Sequence, residues 1–156
     1  MEQKWEWKVS TTLNHATAGQ IWPFLKDFGN LHKYYPGLPT CQVIDGANGE
    51  PGCVRYCSGF QIPAQDGGPV SWSKERLTAV DPAQRLISYE IVDCNTRFKS
   101  YVSTLKIVPG GGDEGCVIEW SVAVDPVAGL RSEDLEKKYK IALELMGKKM
   151  EEATQQ

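Results

Sequence analysis

The stretch that decides the fold is Cys116–Glu152, CVIEWSVAVDPVAGLRSEDLEKKYKIALELMGKKMEE. Its first nine residues alternate. Cys116, Ile118, Trp120, Val122 and Val124 share one face, and Val117, Glu119, Ser121 and Ala123 share the other, which is the period of a half-buried strand. After DPVAGL the period changes. Ser132 is expected to cap a helix, with Glu133, Asp134 and Glu136 favourable to its dipole. Leu135, Tyr139, Ala142, Leu143, Met146 and Met150 then line one face to about Glu152. A one-faced strand needs cover, and this helix is the one long element available to supply it.

The rest of the chain supplies the sheet. WEWKVSTTL at the start alternates Trp5, Trp7, Val9, Thr11 and Leu13 with polar residues. Next, Ile21, Trp22, Leu25 and Phe28 fall at helical spacing, with Pro23 a kink or near the start. Gly29 is expected to end that helix, and Asn30 to Tyr35 form a second short one before Pro36 and Pro39 break the pattern. Strands follow at TCQVIDG, GCVRYCSGF, VSWSKERLTAV, LISYEIVDC and RFKSYVSTLKIV, joined by turns such as DPAQ and PGGGDEG. Short turns favour antiparallel pairing. The expected fold is therefore α+β: a curved seven-stranded antiparallel sheet gripping a long C-terminal helix, with two short helices after strand 1. One domain spans 1–156.

The totals bound the function. The chain has 156 residues, 41% apolar and 24% charged, with a net charge of −3 and no basic tract. That speaks against nucleic acid and anionic membranes as partners. No run is long enough to span a bilayer, and the start, MEQKWEWKVS, has no signal-peptide core. The apolar face of the last helix is assigned to the sheet rather than to a membrane surface. Five cysteines without a CxxC pair, and only two histidines, read as reduced, mostly buried thiols in a cytoplasmic protein, with no metal site. Nothing in the sequence demands more than a monomer.

Period two also sorts the interior. Ile87, Tyr89 and Ile91 face in, as do Tyr101, Ser103, Leu105 and Ile107. In VSWSKERL, Lys74 and Arg76 share a face with Trp72 and belong in water, which turns Glu75 inward with Ser73 and Leu77. In GCVRYCSGF, Arg55 goes with Cys53 and Cys57, and periodicity leaves the direction open because both faces are largely apolar. An inward Glu75 supports an inward Arg55, since a lone buried charge is hard to tolerate. Arg55, Glu75, Tyr89, Tyr101 and Trp120, with small Cys53, Cys57, Ser73 and Ser103, then form a polar cluster among apolar walls. That is the character of a small-ligand pocket. A structural ion pair in a filled core fits the same spacing.

These residues carry a resemblance. The element order resembles the helix-grip fold of the START superfamily (SRPBCC, polyketide cyclase-like), shared with birch-pollen allergens and plant hormone receptors. More narrowly the chain resembles the plant lachrymatory-factor synthase family. The matching segments are LKDFGNLHKYYP, GCVRY, SKERL, Ser88–Tyr89, Cys94–Thr96, Tyr101 with Thr104, Glu119–Ser121 and MGKKMEE, together covering about Trp5 to Glu152. That family's enzyme rearranges an unsaturated sulfenic acid into a thial S-oxide without metal or organic cofactor. The resemblance implies catalytic roles for Arg55 and Glu75, with Tyr89, Tyr101 and Trp120 in the pocket.

Three departures stand out. The family's pocket Trp on the C-terminal helix corresponds to Ala142. The stretch between Arg55 and Glu75 is longer and glycine-rich. Ser71 replaces an aromatic. Substrate-binding residues are thus expected at Tyr89, Tyr101, Trp120, Cys53, Cys57, Ser73, Ala142 and Met146, with a small hydrophobic or amphipathic metabolite as partner. The expected activity is a proton-shift isomerisation or a related lyase-type rearrangement, with a non-catalytic carrier as the alternative. GLP at Gly37–Pro39 resembles a receptor gate but precedes the second strand and is assigned no role. FQIPAQDGGP after Gly59 is a lid candidate with Gly59 as its hinge.

Overall fold

The computed structural model describes residues 3–60, 69–110 and 112–155. The expected lid at Phe60–Pro69 lies mostly outside these residues. β1 (Trp5–Leu13), β2 (Thr40–Asp45), β3 (Val54–Ser58), β4 (Trp72–Asp81), β5 (Leu86–Cys94), β6 (Val102–Pro109) and β7 (Cys116–Val124) form one sheet. Every pairing is antiparallel, in the order β1-β7-β6-β5-β4-β3-β2. α1 (Ala18–Lys26) and a 3₁₀ helix (Phe28–Lys33) follow β1, and α2 (Ser132–Thr154) closes the chain. This is the expected helix-grip fold.

The inward faces match the alternation. Cys116, Ile118, Trp120, Val122 and Val124 are all buried, as are Tyr101, Ser103, Leu105 and Ile107. Against them α2 buries Leu135, Tyr139, Ala142, Leu143, Met146, Gly147 and Met150. Gly147 is where α2 comes closest to β1: a Cβ there would stand 3.0 Å from Thr11 Cγ2 and 3.2 Å from Leu13 Cδ2. Arg76 and Glu90 pair on the outer face, as two strand neighbours in water should. Register shifts fall between Val43 and Asp45, at Lys74/Glu75 and at Leu77/Ala79. Such bulges bend strands, and they sit in the half of the sheet that carries the polar residues.

Three local expectations change. Arg131, in extended conformation, occupies the N-cap of α2, so Ser132 is the first helical residue and makes no cap bond. α1 ends at Lys26, three residues before Gly29. Gly29 lies instead inside the 3₁₀ helix, where a Cβ would stand 2.5 Å from Val43 Cγ2. Close packing on β2, not helix termination, is what that glycine serves. Pro23 is tolerated inside α1, whose start is fixed by a capping box: Thr17 Oγ1 accepts from the Gln20 amide at 3.2 Å and Gln20 Oε1 accepts from the Thr17 amide at 2.9 Å. Gly59 has φ +89°, its N–H donates to the Ser71 carbonyl at 2.8 Å, and a Cβ would stand 2.6 Å from Pro39 Cγ. Its backbone is therefore held between β4 and Pro39.

Candidate functional site

The β3–β4 register settles what alternation left open. Arg55 stands directly opposite Glu75, and Cys57 opposite Ser73, so all four share the inner face. Arg55 is 4% exposed. Its Nε and Nη2 both lie 2.8 Å from Glu75 Oε1, and Nη1 donates to the Phe28 carbonyl at 3.0 Å. The guanidinium carbon lies 3.8 Å from the Phe28 ring centroid and 4.6 Å from that of Tyr89. Burial is the largest single influence and works against the charge, but the Glu75 carboxylate together with Cys57, Tyr89 and Cys41 outweighs it and keeps the guanidinium protonated. The 3₁₀ helix supplies this carbonyl and ring, so the turn after α1 builds the site as much as the sheet does.

Glu75 is held at both oxygens. Oε1 takes the guanidinium, and Oε2 accepts from Ser73 Oγ at 2.9 Å. Tyr89 is buried on β5, and burial pushes its phenol up to about 12. Across the cavity, the Tyr101 and Tyr139 hydroxyls are 2.7 Å apart and both buried. Burial holds both phenols well above their ordinary range, so they are neutral. Two hydroxyls bonded to each other use one proton between them and leave one to donate. Trp120 packs against Tyr139 at a 55° tilt with ring centroids 4.6 Å apart, and its Nε1–H donates to Ser103 Oγ at 2.5 Å.

Arg55, Cys57, Ser73, Glu75, Tyr89, Tyr101, Trp120 and Tyr139 line one cavity of about 80 Å³. Among the described residues an adjoining chamber of about 30 Å³ reaches Leu143, Met146 and Met150 and shares Arg55, Tyr89 and Trp120 with it. The larger space is several times the roughly 10–15 Å³ that a single water needs. It is mostly apolar, with a few fixed polar groups, as ligand sites are. Of the expected residues, the structure gathers Arg55, Glu75, Tyr89, Tyr101, Trp120, Cys57 and Ser73 around the cavity and puts Met146 in the chamber. Cys53 and Ala142 are buried but line neither space. Cys53 lies one residue before β3, and Ala142 lies on the buried face of α2 with Tyr139, its short side chain stopping at the methyl.

Tyr139 and Phe28 are the residues that sequence reasoning passed over. Tyr139 was readable only as part of the buried stripe of α2. Its signal was a hydroxyl among leucines and methionines, since a buried Tyr needs a partner. No group of three His, Cys, Asp or Glu among the described residues could hold a metal ion. No helix there is long and apolar enough to cross a membrane.

A curved antiparallel sheet closed over a long helix, with a buried Arg–Glu pair facing a small apolar cavity, defines a helix-grip ligand-binding protein. The chain belongs to the polyketide cyclase / dehydrase and lipid transport family, which it matches over residues 4–151. It is 33% identical over 93 residues to the abscisic acid receptor PYL2 of Arabidopsis thaliana, covering 60% of this chain and 46% of that one. It is 27% identical over 101 residues to MLP-like protein 31 of the same plant, covering 63% and 56%. The chain thus spans about half the length of the curated relatives it matches. Among solved structures, XoxI from Bacillus cereus superposes with a TM-score of 0.73 at 20% identity, covering 96% of this chain and 95% of that one, which is a likeness of fold.

Proposed function

We propose that the chain catalyses a cofactor-free proton shift on a small unsaturated oxygenated molecule, the isomerase chemistry that its resemblance to lachrymatory-factor synthases implies. The observation that carries this reading is the pairing of a carboxylate with two neutral phenols around one small cavity. For an alk-1-enyl sulfenic acid, the O–H bond breaks, a C–H bond forms at the far alkenyl carbon, and the double bond moves from C=C to C=S. Atoms and electrons balance without a co-reactant. Glu75 is the group placed to move that proton. A substrate sulfenic acid has to be supplied by a separate carbon–sulfur lyase reaction.

In this reading the two members of the ion pair have different roles. Arg55 spends three of its five N–H groups on Glu75 and the Phe28 carbonyl, and the Phe28 and Tyr89 rings pack on it. It orients Glu75 and offsets its charge. The donors for the substrate oxygen are the two remaining Arg55 N–H groups and the free proton of the Tyr101–Tyr139 pair, which meet charge as it develops. The small cavity favours a small ligand over a long lipid.

The test generates an alkenyl sulfenic acid in situ from the cysteine sulfoxide with a lyase and follows thial S-oxide by mass spectrometry. Glu75→Gln is expected to lower turnover at least about a hundredfold while the protein stays folded. Tyr139→Phe is expected to lower it by about a hundredfold as well, the worth of one oxyanion donor. Full activity of folded Glu75→Gln would refute the role given to Glu75.

The second reading is a carrier or sensor that binds without turnover, in the cytoplasm and as a monomer. It rests on the lipid transport in the family's description and on relatives named as abscisic acid receptors. It requires the substrate to emerge unchanged from incubation with the wild-type protein.

A further inference from the structure

The β2–β3 pairing places Cys41 directly opposite Cys57, with the two sulfurs 3.6 Å apart. We infer that Cys41 and Cys57 form an oxidisable dithiol, a modification site in the cavity wall that hydroperoxides convert to a disulfide. Register partners in an antiparallel pair have Cα atoms about 4.5–5.5 Å apart, inside the range a disulfide spans. Bond formation therefore needs side-chain rotation and little backbone movement. Access comes from the cavity, which Cys57 lines.

The other cysteines lack this setting. Cys53 and Cys116 are 1% and 0% exposed and neither has a sulfur partner. The Cys94 sulfur is tied to the Thr96 and Phe98 carbonyls and the Thr96 hydroxyl. Around the pair, the Cys57 thiol donates toward Cys41, and Cys57 Sγ stands 3.9 Å from Glu75 Oε1. The Phe28 carbonyl that holds Arg55 is 3.9 Å from Cys41 Sγ. The hydrogen bond from Cys57 brings the Cys41 thiol down to about 6, helped by the Arg55 charge, while Cys57 is held protonated. The proton shared across the 3.6 Å contact leaves a thiolate beside a thiol within the pair.

The step balances. One sulfur of the pair, as its thiolate, attacks the peroxide, the O–O bond breaks, that sulfur becomes a sulfenic acid and an alcohol or water leaves with one proton. The other thiol then attacks the sulfenic sulfur, the S–O bond breaks, the S–S bond forms and a water leaves. Two thiols lose two electrons and the hydroperoxide gains them. The product withdraws the Cys57 thiol from Glu75, so the inference stands whether or not the cavity is catalytic and would bear on it if it is.

The test treats reduced, folded protein with hydrogen peroxide, alkylates the remaining thiols and maps the peptides. Fragment sequencing is needed, because Cys41 and Cys53 share the tryptic peptide that follows Lys33. The expected result is one Cys41–Cys57 link, formed at least about tenfold faster than Cys94 is modified. The urea midpoint should rise on oxidation of the wild type, since the bond constrains the unfolded chain. Cys41→Ser should abolish both the link and the midpoint shift. The inference is overturned if both thiols stay free under peroxide that oxidises glutathione, if the link forms only in urea, or if Cys57 pairs elsewhere.

Discussion

At the residue scale the site depends on one ion pair and on which side of a strand it faces. Arg55 is buried with its charge offset by a single carboxylate that is itself largely buried. Removing one member leaves the other without a partner, whereas Glu75→Gln keeps an oxygen for Arg55 to bond. Arg55→Ala is expected to lower unfolding free energy by about 3–5 kcal/mol, and the double change Arg55→Met with Glu75→Leu by much less. Urea unfolding of the three proteins separates these outcomes. A cost for Arg55→Ala below about 1 kcal/mol, the scale of an exposed pair, would mean the pair is solvated.

Glu75 was legible in the sequence because its cationic neighbours Lys74 and Arg76 need water. Arg55 was not, because Val54 and Tyr56 are as apolar as Cys53 and Cys57. What decides it is cross-strand register, which one chain of letters does not contain. The same holds for Tyr101 with Tyr139 and for Cys41 with Cys57, pairs separated in sequence by 38 and 16 positions.

At the element scale the 3₁₀ helix is the piece that turns a sheet into a site. It delivers the Phe28 carbonyl and ring to Arg55, and Gly29 lets it dock on β2. The Gly29 amide is also anchored, donating to Asn48 Oδ1 at 2.9 Å. Gly29→Ala drives a methyl into the stiff, β-branched Val43 and is expected to cost about 1–3 kcal/mol. In a Val43→Ala background most of that cost should vanish, a coupling that a double-mutant cycle measures. Additive costs would contradict the contact.

Strand alternation located all seven strands and the inner face of α2, since burying one face forces period two or 3.6 on the letters. Helix ends were less visible. Ser132 and Gly29 have the right chemistry for caps, yet the N-cap falls at Arg131 and Gly29 answers to packing on another element. The capping box at Thr17 and Gln20 was present in the letters and is the local signal that fixes α1.

At the scale of the molecule, three phenols are buried together in the space between sheet and helix. Tyr89 is pushed up to about 12 by burial, and Tyr101 and Tyr139 are held well above the ordinary value of 10.0. Because the folded values are raised, their contribution to stability is fully present below pH 10 and is lost as pH climbs toward and past 12. Alkaline titration should show tyrosinate absorbance of these three appearing together with unfolding, after the more exposed tyrosines. Ionisation of all six tyrosines before any loss of structure would show that the phenols are not enclosed.

The proposed function requires the cavity to take a small oxygenated molecule between Glu75 and the paired phenols. Allyl methyl sulfoxide is a stable probe of suitable size, and NMR reads its binding directly. Titration should shift the Trp120 indole and the Tyr101 and Tyr139 ring signals in the wild type. Tyr139→Phe should weaken binding about fivefold, the worth of one hydrogen bond near 1 kcal/mol. Saturating probe that leaves these signals in place, or moves only residues of the outer sheet face, would contradict it.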